Sequence, residues 1–212
     1  MHIKHLINFI FSFLEKKDQK TIYLEKQSDL FWSSLLTPGR TNESVLYFFP
    51  YQQPDIKYTI LQIKLTGNQK LLTHLIKAIH DSLLEELSDL SLLKDFSPEI
   101  IIGVPSSSKY KPFNQSEVIA STLHQHLRLP SLIYKKGVLK KTKTTPLQHL
   151  LKREDRIKNI IRSMSVTNTR IIKGKDIIVT DDVTTTGATF TEAIRALKEA
   201  GARHVLCIAL SH

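Results

Sequence analysis

At 212 residues the chain is long enough to bury a full core, and 41% hydrophobic with 24% charged residues is ordinary for a soluble globular protein. One cysteine, Cys207, excludes an intrachain disulfide and a cysteine-based zinc cluster. A net charge of +10 predicts attraction to polyanions such as nucleic acid or a diphosphorylated sugar.

The apolar N-terminal stretch, residues 3–14, is too short to span a bilayer and lacks a small-residue cleavage site, so it reads as an amphipathic docking helix and the expected location is cytoplasmic. Charges and Pro38-Gly39 interrupt residues 15–42, which read as loosely organised helix and loop. Residues 44–51 form an aromatic, β-favouring strand closed by Pro50 and Pro54. Ile56, Ile60 and Ile63 then fall at helical spacing, although the β-branched content leaves a strand open. After the break at Gly67-Asn68, Leu72, Leu75, Ile76, Ile79, Leu83 and Leu87 mark one face of a helix ending near Leu90. His74 and His80 lie among its polar positions and read as surface histidines. The economical division is a cap over residues 1–50, without a zinc finger, and one domain over 51–212.

Ile100-Ile101-Ile102-Gly103-Val104-Pro105 has the signature of a buried strand, and the turn after it, Ser106-Ser107-Ser108-Lys109-Tyr110-Lys111, offers small hydroxyl residues and two cations where a diphosphate would sit. Asn114 or Ser116 caps the next helix, which buries Val118, Ile119, Leu123 and Leu127 before Pro130 stops it. Residues 132–134 begin another strand. Lys140-Lys141-Thr142-Lys143-Thr144-Thr145-Pro146 is too polar and basic for an interior, and reads as a mobile loop able to close over a polyphosphate. A helical stretch follows from Pro146, with Leu147, Leu150, Leu151 and Ile157 on one side, and residues 166–172 read as a strand or hairpin arm before the Gly174 turn. The basic excess between Lys135 and Lys175 is either a solvated face or a contact for an anionic partner.

The informative stretch is Ile177-Ile178-Val179-Thr180-Asp181-Asp182-Val183-Thr184-Thr185-Thr186-Gly187-Ala188-Thr189. A short β-branched run suits a parallel strand covered on both faces, and ligands of open α/β sheets bind where such strands end. Hydroxyls and backbone N–H groups around Gly187, with the positive end of the next helix dipole, suit a phosphate monoester. Two adjacent carboxylates would repel that anion unless they face sugar hydroxyls or Mg²⁺, and the combination describes a ribose 5-phosphate site. No G-x-x-x-x-G-K-[ST] loop is present. Phe190, Ile194 and Leu197 continue a helix ending at Gly201, and residues 204–210 form the last strand.

The stretch 179–189 closely resembles the phosphoribosyl-diphosphate (PRPP) motif of type I phosphoribosyltransferases, which implies an α/β fold with a central, mainly parallel sheet and flanking helices. Gly103-Val104-Pro105, Phe113-Asn114-Gln115-Ser116, Thr145-x-x-Gln148, Arg156-x-x-Asn159 and Gly201-Ala202 fall in the order seen in the competence protein F (ComF) branch, and Tyr51 and Lys64-Leu65-x-Gly67 look like its upstream segment. Members of that branch usually carry an N-terminal four-cysteine zinc finger, which has no counterpart in this sequence. Lys111-Pro112 replaces an Arg-Gly pair common in the branch.

The resemblance implies that Asp181 and Asp182 hold the ribose hydroxyls, directly or through Mg²⁺, and that Thr184, Thr185, Thr186, Gly187, Ala188 and Thr189 cradle the 5-phosphate. Ser106, Ser107 and Lys109 would lie near the diphosphate, and Lys140 or Lys141 would neutralise it as it leaves. Purine salvage enzymes of the superfamily place an aspartate base where this chain has Thr185, and only Ser211-His212 follow the residues read as the last strand, so the acceptor expected is a nitrogen nucleophile other than a purine. Two other readings stay open: a non-catalytic adaptor in DNA uptake that contacts single-stranded DNA or a helicase, and a PRPP-sensing regulator. A homo-oligomer is compatible with any of the three.

Overall fold

The computed structural model describes residues 18–42, 44–106, 113–142 and 162–212. In chain order these form α1 (Gln19–Glu25), α2 (Asp29–Ser33), β1 (Gly39–Asn42), β2 (Val45–Phe49), α3 (Pro54–Thr66), α4 (Gln69–Lys94), β3 (Ile100–Gly103), α5 (Gln115–Leu127), β4 (Ile133–Tyr134), β5 (Leu139–Lys141), β6 (Met164–Val166), a 3-10 turn (Thr169–Ile171), β7 (Asp176–Val183), α6 (Ala188–Glu199) and β8 (His204–Ser211). Six strands make one sheet in the order β1-β2-β8-β7-β3-β4, while β5 and β6 pair as a separate antiparallel ribbon. Only the β1–β2 edge of the main sheet is antiparallel. The fold is the expected α/β arrangement.

Strand residues alternate between faces, so a sheet covered on both sides must be apolar at every position. Ile101, Ile178, Leu206, Ile208 and Leu210 enter a core shared with α3, α4 and α5. Ile100, Ile102, Ile177, Val179, Val205 and Cys207 enter a second core with Phe190, Ala193 and Leu197 of α6 and with Leu139 and Met164 of the ribbon. β7 and β8 are thereby fixed at the centre.

Several expectations are corrected by tertiary pairing. β7 runs beyond the β-branched run because β8 offers ladder partners as far as Ser211, so Asp181 and Asp182 fall among its last three residues, with Asp181 opposite Ala209. The segment read as loose helix and loop holds α1, α2 and the edge strand β1, and it buries Leu24 and Trp32 completely. β2, also from the segment expected to form a cap, pairs with β8 in the main sheet. His74 is not a surface histidine, because α1 and α2 fold over α4: its ring stacks on Trp32 at 5.6 Å and its Nε2 lies 3.2 Å from the Glu25 carbonyl. Residues 54–66 resolve as helix, since Pro54 occupies its first turn, the Gln53 side chain caps Ile56 N–H at 2.7 Å and Gly67, at φ +69°, ends it. Lys140 and Lys141 are strand residues, paired with Ser165 and Met164. Residues 143–146, the helix expected from Pro146 and the docking helix expected at 3–14 lie outside the described residues. The arm expected at 166–172 is β6 followed by the 3-10 turn.

Opposite the carboxyl edge of the sheet, Asp176 is fully buried and accepts from Arg203 Nε and Nη2 at 2.9 and 2.6 Å and from Ser97 N–H at 2.8 Å. Burial by itself would raise this carboxyl, but the Arg203 hydrogen bond and the Ser97 amide outweigh it and hold it below its usual range. A lowered folded-state value means stability present above the unfolded value near 4 and lost as pH falls through the folded one. Asp176→Asn is expected to destabilise by about 2 kcal/mol at neutral pH. In urea unfolding, the gap to wild type should narrow steadily below about pH 4.

Candidate functional site

The carboxyl ends of β3, β7 and β8 lie side by side, and α5 begins against them because Gly103 has no side chain. A Cβ there would stand 2.4 Å from the Ser116 carbonyl carbon and the Glu117 nitrogen. Asn114, not Ser116, caps this helix, and its Nδ2 donates to the Val104 carbonyl at 2.8 Å. Thr180 Oγ1, fully buried, donates to the Ser116 carbonyl at 2.8 Å. The first turn of α5 is thus pinned to the strand that bears the acids.

Adjacent residues of the first turn of α5 reach both carboxylates, whose surroundings otherwise differ. Asp182 is 7% exposed and its Oδ2 accepts from Gln115 Nε2 at 3.2 Å, with Lys64 Nζ of α3 at 3.7 Å. Asp181 is partly exposed, and its Oδ1 accepts from Ser116 Oγ at 2.7 Å and from the Asp182 amide at 2.9 Å. Burial first, and the Asp182 charge second, push the Asp181 carboxyl up to about 7, against the pull of the Ser116 hydroxyl.

The turn after β7 brings Thr184, Thr185, Thr186 and Gly187 to the start of α6. Thr184 is 3% exposed, donates its N–H to the Ser211 carbonyl at 2.9 Å, and among the described residues its buried hydroxyl has no hydrogen-bond partner. Thr185 and Thr186 are exposed. Gly187 has φ +70° and open space where a Cβ would stand, so glycine is favoured there by backbone conformation alone. Ala188 and Thr189 open α6, whose N-cap, Gly187, supplies no side-chain hydrogen bond. The Ala188 N–H meets Thr186 Oγ1 at 3.4 Å, and helix starts of this kind, with their positive dipole end, are places where anions can bind.

Among the remaining candidates, Ser106 is partly buried just beyond β3, whereas Ser107 and Lys109 lie outside the described residues. Lys140 is exposed and Lys141 partly buried. Burial lowers the Lys141 pKa, and the negative charge of Asp181 opposes that shift. The site also includes residues to which sequence reasoning gave no role. Lys64 and Gln115 meet on Asp182, and the pieces around them are joined where the Phe113 ring packs on Gly67. Both sit in stretches that the family resemblance singles out, which was the available signal. His212 Nδ1 lies 3.0 Å from the Thr184 carbonyl and its ring lies tilted against Tyr47 at 4.8 Å, buttressing the turn.

An open, mainly parallel sheet with two adjacent acids and a helix start at its carboxyl edge defines an α/β protein of the class whose ligands bind outside the carboxyl ends of the strands. More specifically, residues 68–211 match the family model described as phosphoribosyl transferase domain, and the chain belongs to that family. Among solved structures, it is similar to adenine phosphoribosyl transferase from Trypanosoma brucei in complex with AMP, pyrophosphate and ribose-5-phosphate (11% identity, TM-score 0.46, 83% of this chain and 86% of that one). It is also similar to adenine phosphoribosyltransferase from Leishmania tarentolae (12%, 0.45, 82% and 94%). A third similarity is to glutamine PRPP amidotransferase from B. subtilis complexed with ADP and GMP (20%, 0.36, 61% of this chain), of which the chain covers only 26%. No curated protein sequence matches the chain. Among the described residues, no helix is long and apolar enough to cross a membrane.

Proposed function

We propose that the chain binds PRPP with Mg²⁺ at the carboxyl edge of its sheet and transfers the phosphoribosyl group to a nitrogen nucleophile, releasing diphosphate, as a ComF-like member of its family. The observation that carries this reading is the juxtaposition of Asp181 and Asp182 with the α6 terminus, where the buried Thr184 hydroxyl lacks a partner among the described residues. A phosphate at that turn meets N–H donors and a favourable dipole. The acids beside it take the ribose diol, and the repulsion they would exert on the phosphate is reduced because Lys64 stands 3.7 Å from Asp182.

The donor set fits Mg²⁺. Both described hydrogen bonds to Asp181 fall on Oδ1, and Mg²⁺ takes one or two carboxylate oxygens and fills its other positions with phosphate and water. Asp181 and Asp182 would hold the ion, which when bound neutralises charge on the leaving diphosphate. The protein's own part is to fix the ribose between the turn and the acids and to present Lys140 and Lys141 as further cations. Thr185 offers no carboxylate base, which favours an acceptor that arrives with its own reactive lone pair.

Thermal unfolding with and without PRPP and Mg²⁺ tests the proposal. At a hundredfold excess over Kd the ligand adds roughly 2.7 kcal/mol, or about 5–10 °C for a chain of this size. The wild type is expected to show that shift and Asp181→Asn/Asp182→Asn to lose it. No shift in the wild type would overturn the reading.

A further inference from the structure

The β5–β6 ribbon is held to the rest of the molecule by a directional clamp as well as by packing. Glu192 of α6, only 4% exposed, accepts the Met164 N–H on Oε1 at 2.9 Å, and Arg195 Nη2 donates to the Met164 carbonyl at 2.9 Å. The two side chains are locked together, with Arg195 Nε and Nη2 each donating to Glu192 at 2.8 Å, and Arg195 Nη1 lies 2.5 Å from Glu199. Both backbone polar groups of one ribbon residue are therefore gripped by one helix. That residue is the register partner of Lys141.

The same helix starts at Gly187, and Glu192 lies about one turn beyond Ala188. Apolar contact of Leu139 and Met164 would hold the ribbon down without fixing where it sits along α6, because hydrophobic burial has no direction. A buried ion pair is a poor way to gain stability, and its best-attested use is to fix register. Burial would raise Glu192, but Arg195 and the Met164 amide hold it lowered, so it stays charged while it does this.

We propose, building on the PRPP reading, that Glu192 and Arg195 are positioning residues that set the register of the ribbon on α6, so that Lys141 is presented to Asp181 and to the diphosphate end of the ligand. Neither touches the ligand. Ribose 5-phosphate, which engages the turn and the acids alone, is indifferent to the clamp, whereas PRPP feels it through Lys141.

The test is titration calorimetry of PRPP with Mg²⁺ and, separately, of ribose 5-phosphate, on wild type, Glu192→Gln, Lys141→Ala and the double variant. Glu192→Gln keeps the size and one acceptor oxygen. It is expected to weaken PRPP about tenfold and to leave ribose 5-phosphate within about twofold. Lys141→Ala should do the same, and the double variant should be no worse than Lys141→Ala, since coupled residues are not additive. Equal loss of both ligands, no loss of PRPP, or additive losses would overturn the positioning role while leaving the PRPP site standing. A wild type that binds neither ligand would overturn the PRPP reading and the positioning role with it. If Glu192→Gln does not fold, Arg195→Lys, which keeps a cation beside Glu192, gives the same comparison.

Discussion

Asp181→Asn is expected to melt several degrees above the wild type at neutral pH and to lose its response to PRPP and Mg²⁺. The Asp181 carboxyl is raised to about 7, by burial first and by the neighbouring Asp182 charge second. In the unfolded chain it ionises near 4. Between those values the folded protein binds more protons than the unfolded one, so this group's contribution to stability falls as pH rises through the window and is lowest above about 7. Partial exposure of the side chain lets water offset some of the burial cost, which leaves roughly 2 kcal/mol, or about 4–8 °C for a chain of this length. The amide removes that burden. Thermal scans at several pH values should therefore show the variant ahead at about pH 8, with the gap closing towards about pH 4. On the proposed function, adding PRPP and Mg²⁺ should reverse the order, because only the wild type would keep both acids for the diol and the ion. That reversal would be the stability–function trade-off expected of a binding site. A variant less stable than wild type at every pH would instead make Asp181 a structural acid.

The centre of the fold was legible because its signals are local. Ile177-Ile178-Val179 and Ile100-Ile101-Ile102 are short β-branched runs that only a doubly covered strand accommodates, and the long period from Leu72 to Leu87 has one interpretation. The turn around Gly187 was legible for the same reason, since its hydroxyls, glycine and following helix are contiguous. What escaped depends on partners distant in sequence. α2 has five residues, of which only Trp32 is buried, and it exists by docking on α4. The ribbon pairs Lys141 with Met164 across a long intervening segment, so two lysines that look like loop form a strand. Lys64 meets Asp182, and Glu192 meets Met164, only once the sheet has brought their elements together. No periodicity in either segment marks those contacts.

Gly103→Ala tests the joint on which that assembly depends. The added Cβ would meet the Ser116 carbonyl carbon and the Glu117 nitrogen at 2.4 Å and the Ser116 oxygen at 2.7 Å. All three are backbone atoms, so no rotamer change relieves the overlap and α5 must move off β3. Moving it disturbs the Thr180 hydrogen bond to the Ser116 carbonyl and the Asn114 bond to the Val104 carbonyl. It also draws Ser116 away from Asp181 and Gln115 away from Asp182. Overpacking of this kind costs about 3 kcal/mol, a fall of about 6–12 °C, and the thermal response to PRPP should vanish with it. Gly187→Ala is the contrasting case. Its Cβ meets nothing within 4 Å, so the penalty comes only from φ +70° and should be about 1 kcal/mol. If Gly103→Ala unfolds like the wild type and still responds to PRPP, α5 has room to shift, and the close approach at Gly103 does not hold the two carboxylates in place.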